Sequence, residues 1–408
     1  MALDILKEKG TPLEKQQFTW RELVQAPTSK LDDDAFTRVR IILMNGLESD
    51  ALRMSHAMAR MLNGDVRLPL AQVRRVEQHQ QTMVNWLLPA DLSPLETTIG
   101  FEQVAIEVTA SVAQHEPDDY MAQVYRFGLL EDFDHLYRFS ALMDRMAGGD
   151  ANTIVQNYSD IIPGRPTMVE HRAPEDNLRK HYTARDADPL TKLHAMTITA
   201  SENQTHDYYM TIGPMFADPL ARQLYAEIAS IEEQHVTQYE SMMDPNESPL
   251  EKWLLHEAME VYNYYSCMQY ETNPRIKQIW ERFVDYELGH MHMVMDLMKQ
   301  VENRDPAELL PPTLPEPIEF DSHRQFVRET LNAEVDLRAA GTEFINKDEE
   351  EERAPLSIAY REQMNSEGSP SETIAAGYNW MPGTELVERK SVFAKEQEHE
   401  RHSSKNDW

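Results

Sequence analysis

Apolar residues recur along most of this chain with the period of an α-helix, in stretches that end near proline, glycine or asparagine. The first half contains four such stretches, at residues 34–62, 69–88, 93–116 and 119–146. The second half contains four more, at residues 188–212, 219–243, 248–271 and 273–301. Each of the later four has a proline at or near its first turn, where the missing N–H of proline costs nothing. The pattern therefore predicts eight long helices.

These helices fall into two sets of four, and we expect an all-α fold built of two tandem four-helix bundles. The first bundle is assigned to residues 1–149 and the second to residues 189–304. Residues 150–188 between them contain closely spaced prolines and are interpreted as an irregular connector. A chain of 408 residues is long enough to bury two cores of this size.

Residues 305–408 differ in character from the rest of the chain. Five prolines from Pro306 to Pro317 predict a stiff spacer. One more helix is expected from about Ser322 to Ile345, before an acidic run at residues 348–352. The polar tail that follows is expected to wrap the bundles or a neighbouring subunit, or to be partly disordered.

The two sets of helices are related by an internal repeat. A shift of 155 residues carries Ser93-Pro94-Leu95-Glu96 onto the identical sequence Ser248-Pro249-Leu250-Glu251. The same shift carries apolar positions onto apolar positions, such as Val73 onto Ile228. We interpret this as a duplicated bundle.

The net charge of −31 makes nucleic acid and anionic lipid unfavourable partners. The single cysteine, Cys267, excludes an intrachain disulfide framework and a site of several thiolates, and it favours a reducing compartment. No stretch of the sequence has the length and apolarity of a membrane span or the pattern of a secretory leader. We therefore expect a cytoplasmic protein.

The strongest chemical signal is a set of acids and histidines in the second half of the chain. Glu232 follows Glu202 by 30 residues, Glu287 follows Glu257 by the same interval, and each later Glu begins a Glu-x-x-His motif. Residues three apart share one face of a helix, so each motif can offer a carboxylate and an imidazole to one metal. This spacing predicts a dinuclear metal site in the second bundle, with the ligands Glu202, Glu232, His235, Glu257, Glu287 and His290.

The first half carries related residues with two departures. The shift of 155 aligns Glu77, Glu102, Asp132 and His135 with ligands of the second half, and it places Glu48 one position away from Glu202. It also aligns Gln80 with His235, and the shorter acid Asp132 with Glu287. We therefore expect the first bundle to be degenerate and to hold no metal pair tightly.

Buried carboxylates repel each other and lose hydration, so four of them in one bundle need protons or cations. Mixed carboxylate and imidazole ligation favours two iron ions, or alternatively manganese. Tyr209 and Tyr264 each follow a ligand Glu by two helical turns, and Tyr239 lies one turn after His235. These phenols are candidate catalytic residues that could bond a ligand or donate an electron, although they could equally fill the core. Glu260, one turn after Glu257, is a candidate additional ligand, but we expect it to lie at the surface or behind the ligands.

The order Glu, Glu-x-x-His, Glu, Glu-x-x-His resembles the ferritin-like di-iron carboxylate superfamily, well over residues 190–303 and in degenerate form over 35–148. The resemblance implies a di-iron or dimanganese oxidoreductase that activates dioxygen or peroxide, acts on a small molecule, and assembles as a homo-oligomer. Without cysteine-ligated iron, it would need an external electron donor. The alternatives are an iron-binding or storage protein with ferroxidase activity, and a structural protein with vestigial sites.

Overall fold

A computed structural model describes residues 3–62 and 64–378. The chain is mostly helical, which confirms the all-α prediction, and its only described strands form one small antiparallel hairpin. The α-helices, in chain order, are α1 (Trp20–Leu23), α2 (Ala35–Met58), α3 (Gly64–Asn85), α4 (Pro94–His115), α5 (Asp119–Ala147), α6 (Asn152–Val155), α7 (Pro189–Ile212), α8 (Pro219–Glu240), α9 (Pro249–Tyr270), α10 (Pro274–Val301), α11 (Arg324–Glu334), α12 (Glu350–Arg353), α13 (Pro355–Met364) and α14 (Pro370–Ala375).

Local signals set the ends of the eight long helices. Ser93 and Ser248 each accept a hydrogen bond from the backbone N–H three residues later, and the glutamate at that position bonds back to the serine N–H. These reciprocal capping boxes fix the starts of α4 and α9. At the other end of a helix, Gly148 adopts the left-handed conformation and terminates α5. The eight predicted helices are therefore confirmed, although α3 begins at Gly64, five residues before the predicted start at Pro69.

The long helices form four antiparallel hairpins, which are α2–α3, α4–α5, α7–α8 and α9–α10. The hairpin α4–α5 packs against α7–α8, and the hairpin α2–α3 packs against α9–α10. Helices α2, α4, α7 and α9 also contact one another and lie at the centre of the molecule. Each four-helix unit therefore takes one hairpin from each half of the chain.

This pairing corrects the assignment of one bundle to residues 1–149 and another to residues 189–304. The repeat makes the apolar faces of the two halves chemically alike, so helical periodicity cannot tell which hairpin a given face meets. The second half does not enclose a site by itself, because its two hairpins lie in different four-helix units.

The C-terminal part also departs from prediction. Helix α11 ends at Glu334, and residues assigned to its continuation form the strands β1 (Leu337–Ala340) and β2 (Glu343–Asn346). Gly341, at the turn between them, has a positive φ of 55°, a conformation that glycine adopts at little cost. The predicted arm packs on the helices as far as Tyr378, and Ile374 within it is buried in the main core. The polar tail predicted at the end of the chain lies outside the described residues.

Two further segments surround the helices. The N-terminal segment lies along α10, where Thr11 N–H donates to the Asp285 carbonyl and Gln16 donates to the Tyr286 carbonyl. The connector at 150–188 is largely buried, including Arg165, Glu170 and Arg172. Among residues 3–62 and 64–378, no helix combines the length and the apolar character needed to cross a membrane.

Candidate metal centre

The structure divides the six predicted metal ligands between two buried clusters, so they do not form one site. Three of them, Glu202, Glu232 and His235, lie in the unit built from α4, α5, α7 and α8. The other three, Glu257, Glu287 and His290, lie in the unit built from α2, α3, α9 and α10. Each trio is completed by residues from the first half of the chain, because the hairpins pair across the repeat.

We call the more complete set of side chains cluster A. Its members are acids and histidines that are no more than 1% exposed, namely Glu102, Asp132, His135, Glu202, Glu232 and His235. Helices α5 and α8 each supply a carboxylate and, three residues later, an imidazole on the same face. Helices α4 and α7 each supply one glutamate. Cluster A therefore has the ligand inventory that the sequence assigned to the second bundle, drawn equally from the two halves.

Two groups of ligand atoms within cluster A share Glu232. One group contains Asp132, Glu202, Glu232 and His235, and the other contains Glu102, His135 and Glu232. Within each group the ligand atoms lie within 4.8 Å of one another. Oε1 of Glu232 is 3.0 Å from Nδ1 of His135, and Oε2 of Glu232 is 3.2 Å from Nδ1 of His235. The two oxygens of Glu232 therefore face two different imidazoles.

The outer nitrogens of both imidazoles are bonded to carboxylates. Nε2 of His135 lies 3.0 Å from Oε2 of Glu170, and Nε2 of His235 lies 2.7 Å from Oε2 of Glu131. Such a carboxylate holds the proton on the outer nitrogen and leaves the lone pair of Nδ1 directed at the cluster. Sequence reasoning missed both carboxylates, because Glu131 adjoins a candidate ligand and Glu170 lies in the connector.

Two arginines accompany the outer carboxylate of His235. Arg172 Nη2 donates to Glu131 over 3.1 Å, and Arg165 Nη1 donates over 3.2 Å. Burial opposes ionisation of Glu131, but Arg172 and His235 outweigh it and hold its pKa well below the usual value. The two arginines therefore balance the negative charge of Glu131. Their positive charge is not available to the carboxylates of cluster A.

The carboxylates of cluster A are not satisfied by protein groups. In the described part of the chain, Oε2 of Glu102, Oε2 of Glu202 and both oxygens of Asp132 accept no hydrogen bond, although Nδ1 of His235 lies 3.3 Å from Oδ1 of Asp132. Buried oxygens without donors are costly unless a cation or a proton is near. Nitrogen-to-oxygen separations of about 3 Å also match neighbouring ligands of a metal with bonds of about 2.1 Å. The donor set therefore fits two hard or borderline divalent cations.

The shifted pKa values of these groups reflect the same excess of buried negative charge. Burial raises the pKa of Glu202 well above its usual value, and the nearby carboxylate of Asp132 raises it further. Burial also raises the pKa of Glu102. Burial opposes the charged form of His135, but Glu170 and Glu232 outweigh it and raise its pKa well above the usual value. Cluster A therefore holds positive charge strongly, whether that charge comes from protons or from metal ions.

We call the second set of side chains cluster B. It contains buried residues from the other four-helix unit, namely Glu48, Glu77, Gln80, Glu257, Glu260, Glu287 and His290. Glu77, Glu257 and His290 form one close group, and Glu257, Glu260 and Glu287 form another. Glu260 was expected at the surface or behind the ligands, but it is fully buried beside them. Gln80 occupies the place that His235 has in cluster A, as the shift of 155 predicts.

The three candidate tyrosines lie close to the clusters in different ways. The Tyr209 hydroxyl donates to Oε1 of Glu102 in cluster A, and the Tyr264 hydroxyl donates to Oε1 of Glu48 in cluster B. The Tyr239 ring packs beside His235, with 6.1 Å between ring centroids, but among the described residues its hydroxyl has no hydrogen-bond partner. Only Tyr209 and Tyr264 therefore bond directly to a cluster carboxylate.

Comparison with known proteins adds nothing to this geometry. No family model, curated protein or solved structure matches the chain. The resemblance to ferritin-like proteins therefore remains a prediction from the ligand motifs.

A cavity of about 620 Å³ lies next to cluster A, between the end of α7 and the start of α8. Tyr209 lines this cavity and also bonds to Glu102, so this side chain contacts both the cavity and the cluster. Most of the remaining lining is apolar and includes Met210 and Tyr225. Arg222 also lines it, but its Nη1 donates to the backbone carbonyls of Pro214 and Phe216.

Proposed function

We propose that this protein is a non-heme di-metal oxidoreductase whose two iron ions, or alternatively manganese ions, are held by cluster A. The observation that carries the proposal is the position of Glu232, whose two oxygens face two imidazoles and which belongs to both groups of ligand atoms. Two dications would balance the four carboxylates of Glu102, Asp132, Glu202 and Glu232. When bound, such a metal pair supplies redox equivalents and open positions for activation of dioxygen or peroxide.

The protein has three tasks in this proposal. His135 and His235 would each hold one metal through Nδ1, and Glu170 and Glu131 fix the orientation of their rings. The helices exclude water, since every cluster A side chain is almost fully buried. The Tyr209 hydroxyl orients Glu102, and the same side chain lines the neighbouring cavity.

The cavity beside Tyr209 favours an oxidase or oxygenase that acts on a small molecule over an iron store. Its lining is mainly apolar, and the guanidinium of Arg222 is bonded to backbone carbonyls. A small, largely apolar organic molecule fits such a surface. Electrons would come from a separate donor, because the only cysteine, Cys267, is buried and has no thiol partner.

The proposal is tested by the reaction of the ferrous protein with dioxygen. The anaerobic protein is loaded with Fe²⁺ and mixed with oxygenated buffer, and oxygen consumption and near-ultraviolet absorbance are recorded. We expect rapid oxygen consumption by the wild type and its loss in Glu232→Gln. The matched control is Glu233→Gln, since Glu233 is the exposed neighbour of Glu232 on the same helix. Unchanged oxygen consumption in Glu232→Gln would overturn the proposal.

A further inference from the structure

We propose that cluster B is a second metal site and that it takes a single divalent cation instead of a pair. The proposed function concerns cluster A, so this inference goes beyond it. Cluster B has an imidazole and several carboxylates, but its composition differs from that of cluster A at one decisive position, Gln80.

The cation position is defined by Glu77, Glu257 and His290, whose ligand atoms lie within 4.8 Å of one another. Nε2 of His290 lies 2.7 Å from Oε1 of Gln16, which holds the proton on that nitrogen and directs Nδ1 inward. Nδ1 lies 3.5 Å from Oε2 of Glu257. Within residues 3–62 and 64–378, Oε2 of Glu77 and Oε2 of Glu257 accept no hydrogen bond. Two acid oxygens and a ring nitrogen therefore converge, and the same Nδ1 also lies 2.9 Å from Oε2 of Glu287.

Glu260 provides a second observation that points to a cation. Its side chain is fully buried, and neither of its oxygens accepts a hydrogen bond from any described residue, although Nδ1 of the buried His256 lies 3.5 Å from Oε2. One of these oxygens lies within 4.8 Å of ligand atoms of Glu257 and Glu287. A buried carboxylate that accepts no hydrogen bond and lies close to two other carboxylates is unfavourable unless positive charge lies near all three. Cluster A has no such additional acid among its six members.

Gln80 explains why cluster B takes one cation and not two. Its amide nitrogen donates to Oε1 of Glu48 over 3.2 Å and also donates to Oε1 of Glu287. An amide nitrogen has no lone pair for a metal, and its N–H groups place positive partial charge where the second imidazole of cluster A stands. Glu48 also accepts a hydrogen bond from Tyr264. Protein donors therefore fill the half of cluster B that corresponds to the metal position at His235.

The surroundings of His290 suit a resident structural ion. The outer partner of His290 is the neutral amide of Gln16, whereas both imidazoles of cluster A have carboxylates. The nitrogen of the same amide donates to the carbonyls of Thr11 and Tyr286. An ion on His290 would therefore be coupled to the packing of the N-terminal segment against α10.

The test counts metal ions. Metal-free protein is dialysed against Mn²⁺, and manganese per chain is measured by elemental mass spectrometry. We expect three ions in the wild type, one in His235→Ala with Glu232→Ala, and two in His290→Ala. Gln80→His should raise the count to four, because it restores the missing imidazole. The electron paramagnetic resonance spectrum of the cluster A double variant should show the resolved hyperfine pattern of an isolated Mn²⁺ ion.

Each failure has a different meaning. A wild-type count of two that His290→Ala leaves unchanged would overturn the inference and leave the proposed function intact. A wild-type count of one that only His290→Ala abolishes would support the inference and overturn the proposed function. A wild-type count of four that Gln80→His does not change would also overturn the inference, because cluster B would then already hold a pair. Circular dichroism of each variant verifies that its helices are intact.

Discussion

Tyr209 and Glu102 come from different halves of the duplicated chain, and the phenol of the first donates a hydrogen bond to the carboxylate of the second. Both side chains are fully buried. This bond joins α7, in the second half of the chain, to α4, in the first half. Cluster A likewise draws its ligands from both halves. The interface between the two halves is therefore the place where the proposed chemistry occurs.

Replacement of this phenol tests its role beside the cluster. Tyr209→Phe leaves Oε1 of Glu102 buried without its donor, so we expect the free energy of unfolding of the metal-free protein to fall by about 1–3 kcal/mol. The metal count should not change, because the phenol is not a proposed ligand. Denaturant unfolding measures the effect, with Tyr208→Phe as the control, since the Tyr208 hydroxyl donates to the backbone carbonyl of Pro94. Equal stability of Tyr209→Phe and the wild type would contradict the prediction.

The carboxylate behind His135 should tune metal affinity. Glu170→Gln keeps the size of the side chain but replaces the charged acceptor of Nε2 with a neutral one. We expect metal affinity at cluster A to fall by about 10- to 100-fold. Competition with a chelator measures the change, and Glu175→Gln, an exposed acid of the same connector, should match the wild type. An unchanged affinity in Glu170→Gln would mean that the outer carboxylate has no influence on the imidazole.

Gly289 lies where the N-terminal segment approaches α10 most closely. A Cβ atom there would be 2.1 Å from the Thr11 carbonyl oxygen and 2.9 Å from Gln16 Nε2. Gly289→Ala should therefore loosen residues 3–18 and cost about 1–3 kcal/mol. Hydrogen exchange of that segment and thermal unfolding measure the two effects. Gly64→Ala is the control, since a Cβ at Gly64 meets no atom within 4 Å, and protection equal to the wild type in Gly289→Ala would refute the prediction.

Glu107 should make stability depend on pH at a place outside both clusters. Burial raises its pKa to about 8, so the folded state holds a proton that the unfolded state, with an ordinary pKa of 4.5, releases. This contribution to stability is complete below about pH 4.5 and is lost as the pH rises toward 8, with a slope of up to about 1.4 kcal/mol per pH unit.

Glu107→Gln provides the comparison for that slope. The amide oxygen can still accept from the Ser159 hydroxyl or the His323 N–H, but it does not titrate. We expect the variant to become more stable than the wild type above pH 8, and the difference to shrink toward pH 5. Denaturant unfolding across this pH range measures it. Parallel pH profiles of the two proteins would show that Glu107 ionises normally in the folded state.

The sequence predicts the helices well because their signals are local. Proline at the first turn and the serine caps at Ser93 and Ser248 specify where helices begin, whatever packs against them. The ligand motifs can also be recognised locally, since the two residues of a Glu-x-x-His motif share a helix face wherever the helix is placed. The alignment of Gln80 with His235 likewise indicated that one set of ligands is incomplete.

The assignment of ligands to a site was wrong because it depended on contacts between distant segments. The sequence grouped Glu202 and Glu257 in one bundle, but their helices face hairpins from the first half. The repeat gives both halves similar apolar faces, and no local signal selects between the two pairings. Glu170 has no helical period around it, and the helix predicted to continue to Ile345 ends at Glu334, before a hairpin in which Gly341 makes the turn. These features depend on long-range packing and could not be derived from periodicity.

The most direct test of the central claim is anomalous X-ray scattering from crystals grown with iron or manganese. We predict two neighbouring peaks in cluster A, one near Nδ1 of His135 and the other near Nδ1 of His235, with Glu232 between them. A single peak in cluster A, or peaks confined to cluster B, would contradict the claim that ligands from both halves of the chain hold a metal pair there.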